Sequence, residues 1–165
     1  NDGYNVESFI RYLEGIEGVP LFWVEEPFPE SREDCRKLKE WMQTNGFENT
    51  YLADGEFRPD VDFVKELAKE NVIDVCLFDI VSYGFTPWRQ LMPELKNMQT
   101  LASPHAWGTM LKSYYIAHLA GGLGNTCTVE GATCLSDQID FGDYRMKDGQ
   151  LIPSPQPGFG MTLHG

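Results

Sequence analysis

This sequence is short of positive charge, of histidine and of long apolar runs. Thirteen Lys and Arg stand against 25 Asp and Glu, for a formal net charge of −12. Nucleic acid and anionic membranes both reward Lys and Arg, so neither is expected as a partner. No apolar run approaches the roughly 20 residues of a membrane-spanning helix. The N-terminus carries no basic-then-apolar leader pattern and no initiator Met, so Asn1 is not expected to be the native start. The four cysteines (Cys35, Cys76, Cys127 and Cys134) include no C-x-x-C pair. They read as buried free thiols of a reducing compartment, and a cytoplasmic location is expected.

What is present is the makeup of a globular domain: 165 residues, 42% hydrophobic and 23% charged, enough for a real core. Apolar residues recur at helical spacing after Asn5, after Ser31, at Val61–Ala68, at Phe85–Leu95 and at Met110–Leu123. Short apolar runs alternate with them: Pro20–Val24, Thr50–Ala53, Val72–Phe78, Thr100–Ala102 and Thr126–Val129. Gly18, Asn45-Gly46 and Gly121-Gly122 read as helix stops, and Pro87 is tolerable only in the first turn of its helix. Five strand–helix alternations are the α/β signature, with a parallel sheet and helices packed on it. Residues 1–135 read as these βα units. Residues 136–165 read as a Gly- and Pro-rich tail with one hairpin, Met146-Lys147 and Gln150–Ile152 flanking Asp148-Gly149.

Each apolar run is followed by an acidic residue or, once, a histidine. Pro27 and Pro29 stop the first strand immediately after Glu25-Glu26, because proline donates no ladder hydrogen bond. A lone Glu-Glu-Pro is as readily a solvated acidic turn. Yet Glu25, Glu56, Asp79, His105 and Glu130 follow one another at gaps of 31, 23, 26 and 25 residues, about one βα unit each. In barrels and in open α/β sheets alike, sites assemble at the C-terminal ends of the strands. Carboxylates crowded there raise one another's pKa, and a divalent cation relieves the repulsion. Oxygen donors without Cys or paired His favour Mg²⁺ over zinc.

These residues carry a resemblance. Trp23-Val24-Glu25-Glu26-Pro27, Ala53-Asp54-Gly55-Glu56, Phe78-Asp79-Ile80, Ser103-Pro104-His105-Ala106-Trp107-Gly108 and Val129-Glu130-Gly131 stand in the order of the enolase superfamily. They look most like its mandelate racemase/muconate lactonizing branch, in the mandelate racemase-like subgroup. The tail with Pro157-Gly158-Phe159-Gly160 resembles the segment closing such chains, so the resemblance covers essentially the whole length.

The resemblance implies a partial (β/α)₈ TIM-type barrel, about strands four to eight, without the family's N-terminal capping domain. An open doubly wound sheet is the alternative. It also implies that the chain is part of a longer enzyme, homo-oligomeric at full length. Glu25 and Glu56 match the second and third acids that hold the family's Mg²⁺, and the first, an Asp, would lie upstream. Asp79 and His105 match its Asp–His dyad, and Glu130 the residue that hydrogen-bonds the substrate carboxylate. Asn1 matches a polar residue near the first ligand, with a substrate-binding role.

The implied activity is abstraction of a proton α to a carboxylate through an enediolate. A His base has a pKa near working pH, and the handed-back proton can expel a β-hydroxyl as water. A sugar-acid dehydratase is expected, with a racemase or epimerase and a non-catalytic fragment as alternatives. The expected ligand is a small-molecule carboxylate. Outside this set, His118 is expected to be structural and His164 solvated, while Trp107, Phe85 and Trp88 are expected in the core. Glu26 and Asp54 adjoin the proposed ligands in supporting positions.

Overall fold

The structure, a computed structural model, describes residues 2–131 and 137–164. Its helices form where apolar spacing and a cap coincide. In α1 (Val6–Glu14), Asn5 and Ser8 cap each other reciprocally, and Val6, Phe9 and Leu13 turn inward. Ser31 caps α2 (Arg32–Thr44) by accepting from Asp34 N–H, and Asp60 caps α3 (Val61–Lys69) by accepting from Phe63 N–H. The remaining helices are α4 (Phe85–Asn97) and α5 (Met110–Leu123), the latter capped by Thr109. The strands are β1 (Trp23–Glu25), β2 (Tyr51–Asp54), β3 (Val75–Cys76), β4 (Leu101–Ala102), β5 (Ile139–Asp140), β6 (Arg145–Lys147), β7 (Gln150–Ile152) and β8 (Thr162–Leu163).

The chain divides into two compact units. The first holds the residues up to Phe78 together with Leu95–Leu101. Its sheet runs in the order β1-β2-β3-β4, with β1 parallel to β2 and β2 parallel to β3. Glu25 pairs with Ala53 and Ala53 with Val75, so successive strand ends stay in step. Leu101 N–H joins β4 by donating to Asp74 C=O at 2.8 Å. Leu38, Leu52, Val64, Leu67 and Val75 are fully enclosed between the sheet and α2 and α3. Lys39 reaches Asp74 at 2.6 Å, and Asp74 in turn accepts from Leu52 N–H, tying α2 to the strands.

The second unit holds Asp79–Glu94 and the residues from Ala102 on. Trp88 is fully buried in it, whereas Trp107 is 64% exposed, which corrects the core placement expected for Trp107. The tail hairpin forms at the expected turn: Asp148 and Gly149 both take positive φ, and β6 pairs antiparallel with β7. Tyr144 anchors the tail. Its hydroxyl donates to Phe159 C=O at 2.7 Å, meets His118 Nε2, and its ring stacks on Tyr114. His118 is thus held by structure and His164 is exposed.

Three local expectations need correction. The strand expected over Val72–Phe78 is only Val75–Cys76, because Val72 N–H bonds back to Leu67 C=O and finishes α3. The fifth strand, expected over Thr126–Val129, is a single bridge from Thr126 to Ala102. Gly124 and Asn125 both take positive φ immediately before it and swing the chain, so no longer ladder forms. Finally, α5 runs through Gly121-Gly122 to Leu123, and Gly124 is the residue that stops it. Cys35 and Cys76 are buried free thiols and Cys127 a half-buried one, while Cys134 lies outside the described residues.

Candidate active site

In the first unit the acidic residues sort by register. Glu25 ends β1 with an exposed side chain; Glu26, next along, is 3% exposed. Glu26 sits at φ +37°, a strained conformation for a non-glycine residue, and three hydrogen bonds hold it there. Its Oε1 accepts from Gly55 N–H at 3.2 Å, Glu56 N–H at 2.6 Å and Phe57 N–H at 2.7 Å. Glu26 therefore fixes the turn that carries Glu56 through one carboxylate oxygen, Oε1, while among the described residues its buried Oε2 has no hydrogen-bond partner. Burial pushes its carboxyl up against the pull of those N–H groups. Gly55 makes the turn possible: at φ +112°, a Cβ would stand 3.0 Å from the Phe78 ring. Asp54, 2% exposed, is pushed up to about 8, first by burial and then by the charges of Glu30 and Glu26.

Glu25, exposed at the end of β1, and Glu56, half-buried just past the end of β2, stand at these two strand ends. Among the described residues, no three His, Cys, Asp or Glu side chains are grouped so as to hold a metal ion. The donor chemistry of this edge nonetheless suits Mg²⁺, which takes one or two protein carboxylates and fills its octahedron with water and substrate oxygens. It does not suit zinc. The first unit contains no histidine, and its two cysteine thiols, Cys35 and Cys76, are pushed up to about 12 by burial.

In the second unit, the structure brings Asp79, His105 and Glu130 together. A parallel bridge pairs Asp79 with His105, and Ile80 N–H donates to His105 C=O at 3.1 Å. The two side chains thus leave adjacent strand ends on the same side. His105 Nδ1 lies 3.2 Å from Asp79 Oδ2, and Nε2 lies 3.8 Å from Glu130 Oε2. Asp79 Oδ1 accepts from Val81 N–H at 2.9 Å and Ser82 N–H at 2.8 Å. Burial alone would raise the Asp79 carboxyl. Hydrogen bonds from Lys112, Ser82, Val81 and His105 outweigh it and hold the group at about 2. Ionised, Asp79 only accepts, so Nδ1 carries the hydrogen, and in the neutral ring the lone pair is then on Nε2. Glu130 is held in turn by Ala106 N–H on its Oε2, and its main-chain carbonyl accepts from Ser113 Oγ at 2.7 Å.

The sequence reading missed Lys112, whose ammonium lies 2.5 Å from Asp79 Oδ2. Its signal was available: it is the sole Asp, Glu, Lys or Arg in α5, an otherwise apolar helix with His118. Asn1 lies outside the described residues.

Comparison with known proteins gives a consistent picture. Residues 1–165 match a family model described as enolase C-terminal domain-like. No curated protein sequence matches the chain. Among solved structures, it is 30% identical to a mandelate racemase/muconate lactonizing protein from Geobacillus sp. Y412MC10 complexed with magnesium and tartrate. That match has a TM-score of 0.91 and covers 99% of this chain and 42% of the other. It is also 30% identical to galacturonate dehydratase from Geobacillus sp. complexed with D-galacturonate and 5-keto-4-deoxy-D-galacturonate. There the TM-score is again 0.91, over 98% of this chain and 43% of the other. A mandelate racemase/muconate lactonizing protein from Herpetosiphon aurantiacus, at 20% identity and a TM-score of 0.76, shares the fold over 100% of this chain and 47% of its own. The α/β organisation is that of the C-terminal barrel portion of such proteins, and the chain spans less than half the length of each.

Proposed function

The chain belongs to the enolase C-terminal domain-like family, in its mandelate racemase/muconate lactonizing branch, and from that premise we propose that it serves Mg²⁺-dependent removal of a proton α to a carboxylate, as part of a sugar-acid dehydratase. The observation that carries this reading is the Asp79–His105–Glu130 arrangement: an imidazole held through Nδ1 3.2 Å from Asp79 Oδ2, with Nε2 3.8 Å from Glu130 Oε2.

An α-proton of a carboxylate is very weakly acidic, so its removal needs a positioned base and stabilisation of the developing charge. His105 Nε2 is that base. Asp79 keeps the ring in the tautomer that leaves Nε2 open and faces the imidazolium once the proton has moved. Glu130, in its protonated form, would donate a hydrogen bond to the substrate carboxylate as it becomes an enediolate. Dehydration closes when His105 returns its proton to the β-hydroxyl, the C–O bond breaks and water leaves; the enol then ketonises. In the first unit, Glu25 and Glu56 would hold Mg²⁺, with Glu26 keeping Glu56 in place. The metal, when bound, supplies positive charge to the substrate's carboxylate oxygens. A sugar acid is the substrate class favoured by the dehydratase relative, whose structure contains D-galacturonate.

The test is solvent deuterium exchange at the α-carbon across a panel of sugar acids with Mg²⁺, comparing the full-length protein with its His105→Asn variant. Exchange that disappears in the variant, with a keto-acid product, supports the dehydratase. Exchange with inversion and no keto acid replaces it by an epimerase. No exchange with any acid overturns the catalytic reading.

A further inference from the structure

Asp79 Oδ2 is shared. It receives the Lys112 ammonium at 2.5 Å and the His105 ring at 3.2 Å, while Oδ1 takes two main-chain N–H groups. The carboxylate's acceptor positions are thereby filled, and the cation is the closer of the two partners on the shared oxygen. The Lys112 side chain is 19% exposed, against 50% for Lys37 in its surface pair with Glu7. A lysine drawn this far out of water, on an apolar helix, is costly unless its charge is answered.

We propose that Lys112 is a positioning residue of the His105 site: it locks the Asp79 carboxylate against Nδ1 and limits the negative charge that Asp79 lends to the ring. The inference rests on reading His105 as the base. In a bare Asp–His pair the carboxylate both orients the imidazole and favours its protonated form. Here Lys112 offsets the second effect and leaves the first. The ring is oriented without being made to hold its proton, as a group that must accept a proton and give it back requires. Charged side chains that face the ring include Asp79, from the loop after β3; Glu130, 3.8 Å from Nε2; and Lys112, which reaches the ring through Asp79. Lys112 meets Asp79 at the oxygen that faces Nδ1.

The test is an NMR titration of the three histidine rings in the unaltered chain, Lys112→Met, Lys112→Gln and Lys112→Arg. Removing the cation in Lys112→Met is expected to raise the His105 midpoint by about half a unit to one unit, less than the roughly 1–3 units of a direct charge contact. Lys112→Arg keeps the charge and is expected to restore the original midpoint. His164, in the exposed tail, provides the reference that stays put. Lys112→Gln keeps a donor to Asp79 without charge, and it reads the same shift if the Met variant does not fold. A His105 midpoint that moves no more than that of His164 in a folded variant overturns the proposal. The readout needs no substrate. A shifted midpoint in a protein without α-proton exchange sinks the catalytic reading alone, and an unmoved midpoint in an active protein sinks the role of Lys112 alone.

Discussion

Asp79 and His105 are 26 residues apart in sequence, yet a parallel bridge between their backbones brings their side chains to 3.2 Å on the same side. The pair follows from strand register, and its chemistry follows from what else Asp79 holds. Replacing Asp79 by Asn keeps the shape but loses the charge and offers the ring a donor as readily as an acceptor. In the full-length protein, α-proton exchange is expected to fall by about 10²–10⁴-fold, the usual worth of general acid–base help. ¹⁵N shifts should show the His105 tautomer no longer fixed. Undiminished exchange in a folded Asp79→Asn protein would remove Asp79 from the site.

The acid limb of stability should carry the mark of Asp79. Its carboxyl is held at about 2, below its ordinary value of 3.8, so the folded state favours the ionised form. That contribution is fully present above about 4 and is lost as pH falls through about 2. Denaturant midpoints measured between pH 5 and pH 2 should fall more steeply in the unaltered chain than in Asp79→Asn. Parallel curves would contradict the assignment.

Glu26 is expected to matter for stability out of proportion to its place beside a proposed ligand. Glu26→Ala leaves the N–H groups of Gly55, Glu56 and Phe57 without their acceptor, at a cost of at least about 1–3 kcal/mol. Glu26→Gln keeps an oxygen in the same place and should cost less. Urea unfolding of the two variants reads the difference. Equal, negligible losses would mean that these bonds do not hold the turn.

Mg²⁺ affinity should divide the acids of the first unit by role. Glu25→Gln and Glu56→Gln each remove a proposed ligand and should weaken Mg²⁺ binding by more than the roughly 10–100-fold that loss of a supporting residue costs. Glu30→Gln, outside the proposed pair, should bind like the unaltered protein. Calorimetric titration with Mg²⁺ measures each. Full affinity in both ligand variants would exclude the pair.

Tyr144→Phe removes the hydroxyl that bonds Phe159 C=O and His118 while leaving the ring stacked on Tyr114. Faster amide hydrogen exchange is expected around residues 159–163, with global stability lowered by about 0.5–1.5 kcal/mol. Unchanged exchange there would show that the tail is anchored by ring packing alone.

Much of this protein is written locally. The helices were legible because apolar spacing and caps such as Asn5, Ser31 and the Asp148-Gly149 turn act within a few residues. The parallel α/β class followed from strand–helix alternation, and the five strand-end polar residues followed from where each apolar run stops. Strand lengths were less legible: Val72 was lost to the end of α3, and Gly124 and Asn125 cut the last strand to one bridge.

The roles of neighbouring groups needed the tertiary structure. In sequence, Glu25 and Glu26 are twins; in the fold, Glu26 is buried on three N–H groups 29 to 31 residues away, and Glu25 is left at the rim. Lys112 was a lone charge in an apolar helix until the fold set it on Asp79, 33 residues away. Periodicity and capping are short-range and are encoded in adjacent residues. Which carboxylate is spent on the backbone, and which cation answers it, depends on chain segments that meet only when strands align. Neighbouring residues were enough to say which chemical groups arrive at the strand ends; what each group is bound to, and so what it is able to do, depends on contacts that exist only in the folded chain.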